Sequence, residues 1–182
     1  MKVYNHKDAF THLKHLFNNP NKEDIFIAVF DETAVHYGMD GGLDIEKIIE
    51  KNIPIYNIQR KGGAIVTSPG DVVYCFITKT DNLYFNMELR NFLVKKLTQK
   101  GIPFEQTKND LLVDGKKCFG FMHRDLGSRK FYGGHISINC NLELIKDICT
   151  KPMEKIPTGL SNYGISTDNI IDWLNEFWFY LK

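Results

Sequence analysis

The sequence predicts an α+β fold, in which a mixed, mostly antiparallel sheet is flanked by helices. Stretches with apolar residues at helical spacing alternate with short apolar runs that are rich in strand-forming residues. Hairpins are also indicated, because some of these runs are joined by tight turns. The 182 residues contain no internal repeat, low-complexity tract or linker, so residues 1–182 are predicted to form a single domain.

The first half of the chain contains two strongly apolar strands. Ile25 to Phe30 and Val72 to Thr78 are continuous apolar runs, and both are predicted to be buried strands. Residues 33–37 are expected to pair with the first of them. The other elements predicted in this half are helices over 7–17 and 43–51 and strands over 55–59 and 64–66.

The second half begins with the longest predicted helix, which covers 81–100 and has Asp81 as its N-cap. A hairpin follows, because Asp114-Gly115 favours the two-residue turn that joins antiparallel strands. The other elements predicted here are the hairpin strands over 110–113 and 118–123, a strand over 136–140, and helices over 142–149 and 167–181.

Composition excludes several classes of protein. Hydrophobic residues make up 43% and charged residues 25% of the chain, which is ordinary for a globular protein and excludes intrinsic disorder. The net charge of +1 argues against binding nucleic acid or an anionic membrane through bulk charge. No apolar run reaches the roughly 20 residues of a membrane span, and the N-terminus lacks the apolar centre of a signal peptide. We therefore expect a cytoplasmic protein with no nucleic-acid or membrane partner.

The four cysteines show no metal-binding pattern. They form no Cys-x-x-Cys pair and no Cys/His cluster with zinc spacing, so free and mostly buried thiols are expected. Cys149 is a possible nucleophile. Helical phase also places it beside Leu142 and Ile145, and a buried core thiol is the simpler interpretation.

Two adjacent glycines lie beside two cations at residues 60–64, ahead of the turn-forming residues 68–71. Because glycine lets backbone N–H groups approach an anion closely, this segment is a candidate anion-binding loop. A surface turn between two strands is the alternative, since glycine pairs are common in turns.

The predicted hairpin carries Lys116 and Lys117 directly after its turn. Strand alternation lets at most one of them face a pocket, and exposed turn lysines are usually only solvated. Gly120 in the return strand indicates that a ligand or another backbone comes close there. His135 follows two glycines and could serve as an acid or base, although a lone histidine more often has a structural role.

Taken in order, these segments resemble the family of lipoate–protein ligases, octanoyltransferases and biotin–protein ligases, and most closely a divergent lipoate–protein ligase A. The resemblance runs from about Ile53 to Leu160. Its most specific part is NDLLVDGKKCFG, which is similar to the ligase pattern N-D-[LI]-x-V-D-G-[KR]-K-[IFV]-x-G. The glycine segment resembles the family motif G-G-[AG]-x-x-x-x-x-G-[ND].

The resemblance implies a catalytic core like that of biotin ligases and class II synthetases. We expect no C-terminal accessory domain, because the chain is shorter than typical ligases. The resemblance also implies an enzyme that joins lipoate to ATP as lipoyl-AMP and transfers the acyl group to a lysine of a lipoyl carrier domain, in a 2-oxoacid dehydrogenase E2 or a glycine cleavage H protein. Lys117 is the implied catalytic residue, and Asp110 is the implied carboxylate for Mg²⁺ that accompanies ATP. The implied substrate- and nucleotide-binding residues are Arg60, Gly62, Gly63, Ala64, Gly70, Asp71, Asn109, Asp110, Gly120 and His135.

Two alternatives stay open, because the sequence departs from the ligase pattern. The residues before the glycine loop lack the usual paired arginines, and Gly134-His135 stands where the family has His-Gly. An octanoyltransferase would need no ATP and would carry an octanoyl group from acyl carrier protein as a thioester on Cys149. A non-catalytic paralogue would bind lipoate, biotin or a carrier domain without transfer.

Overall fold

The computed structural model describes residues 1–19, 21–37, 41–57, 64–79, 84–107 and 110–180. None of the helices in this part of the chain has the length and apolar character needed to cross a membrane. In chain order the elements are β1 Lys2–Asn5, α1 His6–Phe17, β2 Asp24–Val29, β3 Ala34–Tyr37, α2 Ile45–Glu50, β4 Ile55–Asn57, β5 Ile65–Thr67, β6 Val72–Thr78, α3 Phe85–Gln99, β7 Phe104–Gln106, β8 Asp110–Val113, β9 Lys116–Asp125, β10 Lys130–Ile136, α4 Leu142–Ile148, a 3₁₀-helix Leu160–Tyr163 and α5 Thr167–Tyr180.

A seven-stranded sheet in the order β1-β2-β6-β10-β9-β8-β7 forms the centre of the fold. Its neighbouring strands are antiparallel except for β1 and β2, which are parallel. A smaller sheet has the order β4-β3-β5. The predicted α+β class with a mostly antiparallel sheet is therefore confirmed.

Different helices cover the two faces of the large sheet. Helices α3 and α5 pack on one face, where Leu89, Leu93 and Phe177 join the largest buried cluster. Helix α1 covers part of the other face, with Ala9 and Leu16 in a second buried cluster. The apolar stripe of each helix thus faces the sheet, as its sequence period requires.

The predicted pairing of residues 33–37 with the strand over 25–30 is wrong. Strand β3 lies in the smaller sheet, between β4 and β5. Strand β2 is already paired on both sides, by β1 and β6, so it has no free edge for β3. The short strand β1 was not predicted, because its four residues KVYN show no apolar run.

The predicted strand over 136–140 is also wrong, because β10 ends at Ile136. Beyond it, the backbone N–H groups of Ile138 and Asn139 donate to the Asp71 carboxylate rather than to a neighbouring strand. The strand begins earlier in the sequence than predicted. The prediction missed its first residues because Gly133 and Gly134 have low strand propensity. Both glycines are nevertheless needed: a Cβ added at Gly133 would lie 2.6 Å from Phe131 Cζ, and one added at Gly134 would lie 2.6 Å from Tyr74 Cε1.

The hairpin is confirmed, with both turn residues in the left-handed region, Asp114 at φ 49° and Gly115 at φ 69°. Positive φ at both positions is the mark of the turn that suits the twist of paired strands. The predicted long helix is α3, and its expected N-cap Asp81 lies outside the described residues.

We predict that Gly134→Ala destabilises the protein by about 1–3 kcal/mol, which is typical of overpacking a buried site. The new methyl group would meet the Gly120 carbonyl oxygen and the Tyr74 ring, both at 2.6 Å. Urea unfolding measures the change. Gly120→Ala is the matched comparison, because its methyl group would meet only flexible side-chain atoms, the nearest at 3.4 Å. Equal stability of the two variants would contradict this account.

Candidate functional site

An apolar cavity of about 510 Å³ lies between α1 and the uncovered part of the large sheet. Phe10, Leu13 and Phe17 of α1 line one side of it, while strands β2, β6, β9 and β10 form the floor. The floor reaches from His135 to Phe131, two residues four positions apart on β10, which is about 13 Å along a strand. The cavity can therefore hold an extended apolar chain.

One row of paired residues leads from this floor to a cluster of charges. Val73 pairs with His135, His135 pairs with Gly120, and Gly120 pairs with Asp110. Directly paired residues on neighbouring strands point to the same face, so the positions of His135, Gly120 and Asp110 face the cavity side. Because Gly120 has no side chain, an open space separates His135 from Asp110.

Lys117 fills part of that space. A Cβ added at Gly120 would lie 3.4 Å from Lys117 Cε and 3.5 Å from its Nζ. Strict alternation would place Lys117 with Phe119 on the opposite face, but the register shifts between Leu111 and Leu112, which leaves Cys118 as an extra residue on β9. This β-bulge turns the Lys117 side chain toward Gly120.

The buried Asp110 carboxylate joins two ammonium groups. Its Oδ1 lies 2.8 Å from Lys117 Nζ and its Oδ2 lies 2.5 Å from Lys155 Nζ. Burial by itself would raise the pKa of Asp110, but the hydrogen bonds from Lys117 and Lys155 outweigh this effect and hold the pKa below its usual value. The Asp110 side chain is 10% exposed, whereas that of Lys117 is 43% exposed and so remains accessible to a ligand.

The segment before the 3₁₀-helix fixes the position of Lys117. The Lys117 N–H donates to the Ile156 carbonyl, and the Thr158 N–H donates to the Lys117 carbonyl. This segment also delivers Lys155, which sequence reasoning missed. Lys155 lies 45 positions from Asp110 in the sequence, and no local motif predicts the ion pair between them.

A contact with the buried Asp71 carboxylate orients the His135 ring. Its Nε2 lies 3.0 Å from Asp71 Oδ2, and Asp71 also accepts the backbone N–H groups of Ser68, Ile138 and Asn139. Since an ionised carboxylate only accepts, Nε2 of His135 carries a proton in this contact. Asp71 is 1% exposed, so the structure places it behind His135 rather than in the cavity.

Gly70 and Ala64 also lie away from the charged cluster. Gly70 has φ +90°, and a Cβ there would lie 2.8 Å from Asn139 Nδ2, so packing and backbone conformation both require glycine. Ala64 is half-buried beside a small apolar cluster that includes Val35 and Ile48. The predicted residues Arg60, Gly62, Gly63 and Asn109 lie outside the described residues.

Cys149 ends α4, and Leu43 forms an isolated bridge with it. Burial raises the pKa of its thiol, which lowers the thiolate fraction at neutral pH. Among the described residues, no hydrogen bond or ion pair joins Cys149 to Lys117. Within the described part of the chain, the structure thus shows no direct polar contact that would activate the thiol through Lys117.

Each oxygen of the Asp110 carboxylate already accepts a hydrogen bond from an ammonium group, which opposes the approach of a Mg²⁺ ion in this arrangement. A cation would have to displace one lysine and would lie beside the other. Asp110 as a metal ligand stays a prediction, and its observed contacts are those of a counterion for Lys117 and Lys155.

Comparisons with known proteins agree with this architecture. A structure of P. falciparum LipL1 in complex with lipoate has a TM-score of 0.78 at 17% identity, and the match covers 99% of this chain and 60% of that one. The bi-partite lipoate protein ligase of Thermoplasma acidophilum, from a lipoylation system with an E2 lipoyl domain, has a TM-score of 0.75 at 12% identity, over 97% and 81% of the two chains. Lipoate-protein ligase A bound with ATP has a TM-score of 0.72 at 14% identity, over 97% and 81%.

At these low identities, the TM-scores establish a shared fold only. The chain spans about 60% of the length of LipL1, and no curated protein matches it by sequence. The family model of the lipoyl protein ligase A/B catalytic domain matches residues 7–177, which is nearly the whole chain. This protein therefore belongs to the lipoyl protein ligase A/B catalytic-domain family.

Proposed function

We propose that this protein is a lipoate–protein ligase-like acyltransferase, which attaches lipoate, through lipoyl-AMP, to a lysine of a lipoyl carrier domain. The observation that carries the proposal is the Lys117 ammonium group, which lies over Gly120 at the edge of the apolar cavity floor. A carboxylate at that edge can reach the ammonium group while its apolar chain lies along the floor. Lipoate and octanoate both have this shape, with one charged end and an apolar remainder.

Lys117 suits the two steps of such a reaction. In the first step, a carboxylate oxygen forms a bond to the α-phosphorus of ATP, and the bond from that phosphorus to pyrophosphate breaks. In the second step, the carrier lysine amine forms an amide with the acyl carbon, AMP leaves with the electron pair, and the amine loses a proton. Negative charge develops on oxygens beside the acyl carbon in both steps, and a fixed ammonium group stabilises it.

Asp110 and Lys155 prepare Lys117 for this role. A buried carboxylate with a single cation would hold that cation tightly, because leaving it unpaired costs several kcal/mol. With Lys155 on its second oxygen, Asp110 keeps one partner when Lys117 turns toward a substrate. The two lysines and one carboxylate leave one net positive charge, which suits an anionic carboxylate or phosphate.

The partner that this chemistry requires is a lipoyl carrier domain, and acyl carrier protein takes its place in the octanoyl-transfer alternative. The 43% exposure of the Lys117 side chain leaves room for a carrier lysine to approach. The cytoplasm is the expected location of the reaction. ATP and lipoate are the expected small-molecule substrates.

The intact mass of an apo lipoyl domain after incubation with the protein tests the proposal. One reaction contains lipoate, ATP and Mg²⁺, and a second contains octanoyl-acyl carrier protein without ATP. A gain of one lipoyl group in the first reaction alone is expected. A gain only in the second would establish the octanoyltransferase alternative, and no gain in either would favour a non-catalytic paralogue.

We predict that Lys117→Ala lowers transfer by about 100-fold or more, the size expected when a preorganised charge-stabilising donor is lost. Folding should be retained, because Asp110 keeps its contact with Lys155. Lys116→Ala is the control, since this neighbouring lysine is exposed and precedes the bulge. Full activity of the Lys117→Ala variant would contradict the assignment, as would an equal loss in the control.

Lys155→Ala should lower transfer by about 10-fold, the change that corresponds to about 1.4 kcal/mol. Among the described residues, loss of this cation leaves Lys117 alone as an ion-pair partner of Asp110, and it raises the pKa of that carboxyl. Activity should therefore be lost at a higher pH on acidification than in the wild type. Lys155→Arg should restore the wild-type pH profile, and Lys151→Ala on the same exposed segment should leave it unchanged. A profile that does not move in Lys155→Ala would exclude this positioning role.

Cys149→Ser should keep nearly all transfer activity, because the thiol is half-buried and its pKa is raised. The measurement is the same mass assay with lipoate and ATP. A folded Cys149→Ser variant without activity would instead support a thioester route.

A further inference from the structure

A second group of polar side chains gathers at the start of α1, apart from the Lys117 cluster. His6 is the first residue of this helix, and Asp31 and Glu32 follow directly after Phe30. The ligand atoms of His6, Asp31 and Glu32 all lie within 4.8 Å of one another, and this is the one such group found among the described residues. Neither the predicted function nor its site residues account for it.

His6 is the unusual member of this group. It is fully buried, at 0% exposure, and neither of its ring nitrogens has a hydrogen-bond partner. Aromatic rings of Phe10, Phe30, His36 and Tyr56 surround it at centroid distances between 4.7 and 6.0 Å. Burying an imidazole nitrogen without a hydrogen-bond partner costs free energy, and a ligand bound to that nitrogen would remove the cost.

The distances at His6 Nδ1 fit a shared cation better than hydrogen bonds. Nδ1 lies 3.6 Å from Asp31 Oδ1 and 3.6 Å from Glu32 Oε1. A separation of 3.6 Å is too long for a hydrogen bond. It is close to the distance of about 3.4 Å that separates two ligand atoms when each lies about 2.1 Å from a tetrahedral Zn²⁺ ion.

The surroundings supply the other features of a metal site. Tyr56 donates a hydrogen bond of 2.9 Å to Glu32 Oε1 and orients that carboxylate. Asp31 is 68% exposed, so an ion can enter from solvent and keep a water ligand. The positive end of the α1 dipole can explain why two carboxylates lie here, but it does not explain an unpartnered imidazole nitrogen that faces them.

We propose that His6 Nδ1, Asp31 and Glu32 bind one divalent transition-metal ion of the Zn²⁺ type. The imidazole and carboxylate donors suit this class of ion, and two carboxylates balance its charge. The ion would join the start of α1 to the loop after β2. Because His6 also lines the apolar cavity, metal binding would fix one end of that cavity.

Zn²⁺ titration by calorimetry tests the site in the full-length protein. The variants are Asp31→Asn/Glu32→Gln, which changes a partly exposed loop and should fold, and His15→Gln, a control on the same helix. We expect one Zn²⁺ per chain in the wild type and in His15→Gln, and at least 100-fold weaker binding in the double variant. Saturating Zn²⁺ should raise the Tm of the wild type but not that of the double variant.

Visible absorption of bound Co²⁺ provides a second readout of the same site. Its bands should be lost in the double variant and in His6→Gln, and kept in His15→Gln. The proposal is overturned if the wild type binds no Zn²⁺, if the double variant binds it as tightly as the wild type, or if binding depends on His15 instead of His6. Each of these outcomes can be scored without any assay of acyl transfer, so the metal site and the proposed enzyme activity are tested separately.

Discussion

The buried carboxylate of Asp110 is the constraint on which the rest of the candidate site depends. An ionised carboxylate at 10% exposure needs charge partners, and it finds them in lysines from two distant segments. Its pairing with Gly120 fixes where those lysines meet relative to the cavity floor. The carboxylate therefore determines both the charge of the site and its position.

The bulge and the glycine act together on the same strand. Without the extra residue at Cys118, strand alternation would turn Lys117 away from Gly120. Without glycine at 120, a side chain would occupy the space in which the Lys117 ammonium group lies. The tight turn at Asp114-Gly115 sets the register of the hairpin, so a local turn, a bulge and one missing side chain place the cation.

Local chemistry explains which elements were predictable from the sequence. Strand β6 spans Val72–Thr78 as predicted, because a long apolar run leaves little choice. Strand β10 was misplaced, since the need for Gly133 and Gly134 comes from the neighbouring rings of Phe131 and Tyr74 rather than from strand propensity. An argument from strand propensity does not include such contacts with neighbouring side chains.

The same distinction applies to the candidate site. The position of Lys117 in the chain could be identified, since its motif is local and resembles that of a known family. Lys155 and His6 could not, because each acquires its role only from residues that are distant in sequence: Asp110 for Lys155, and Asp31 with Glu32 for His6.

The large sheet places an apolar surface directly beside a charged cluster. An acyl substrate needs an apolar surface for its chain and a cation for its carboxylate, and these two environments normally exclude each other. The row from Val73 through His135 and Gly120 to Asp110 changes from apolar to charged within four neighbouring strands. Because adjacent strands are about 4.8 Å apart, the transition takes roughly 15 Å. The apolar floor can thus stay dry while the lysines at its edge remain in contact with water.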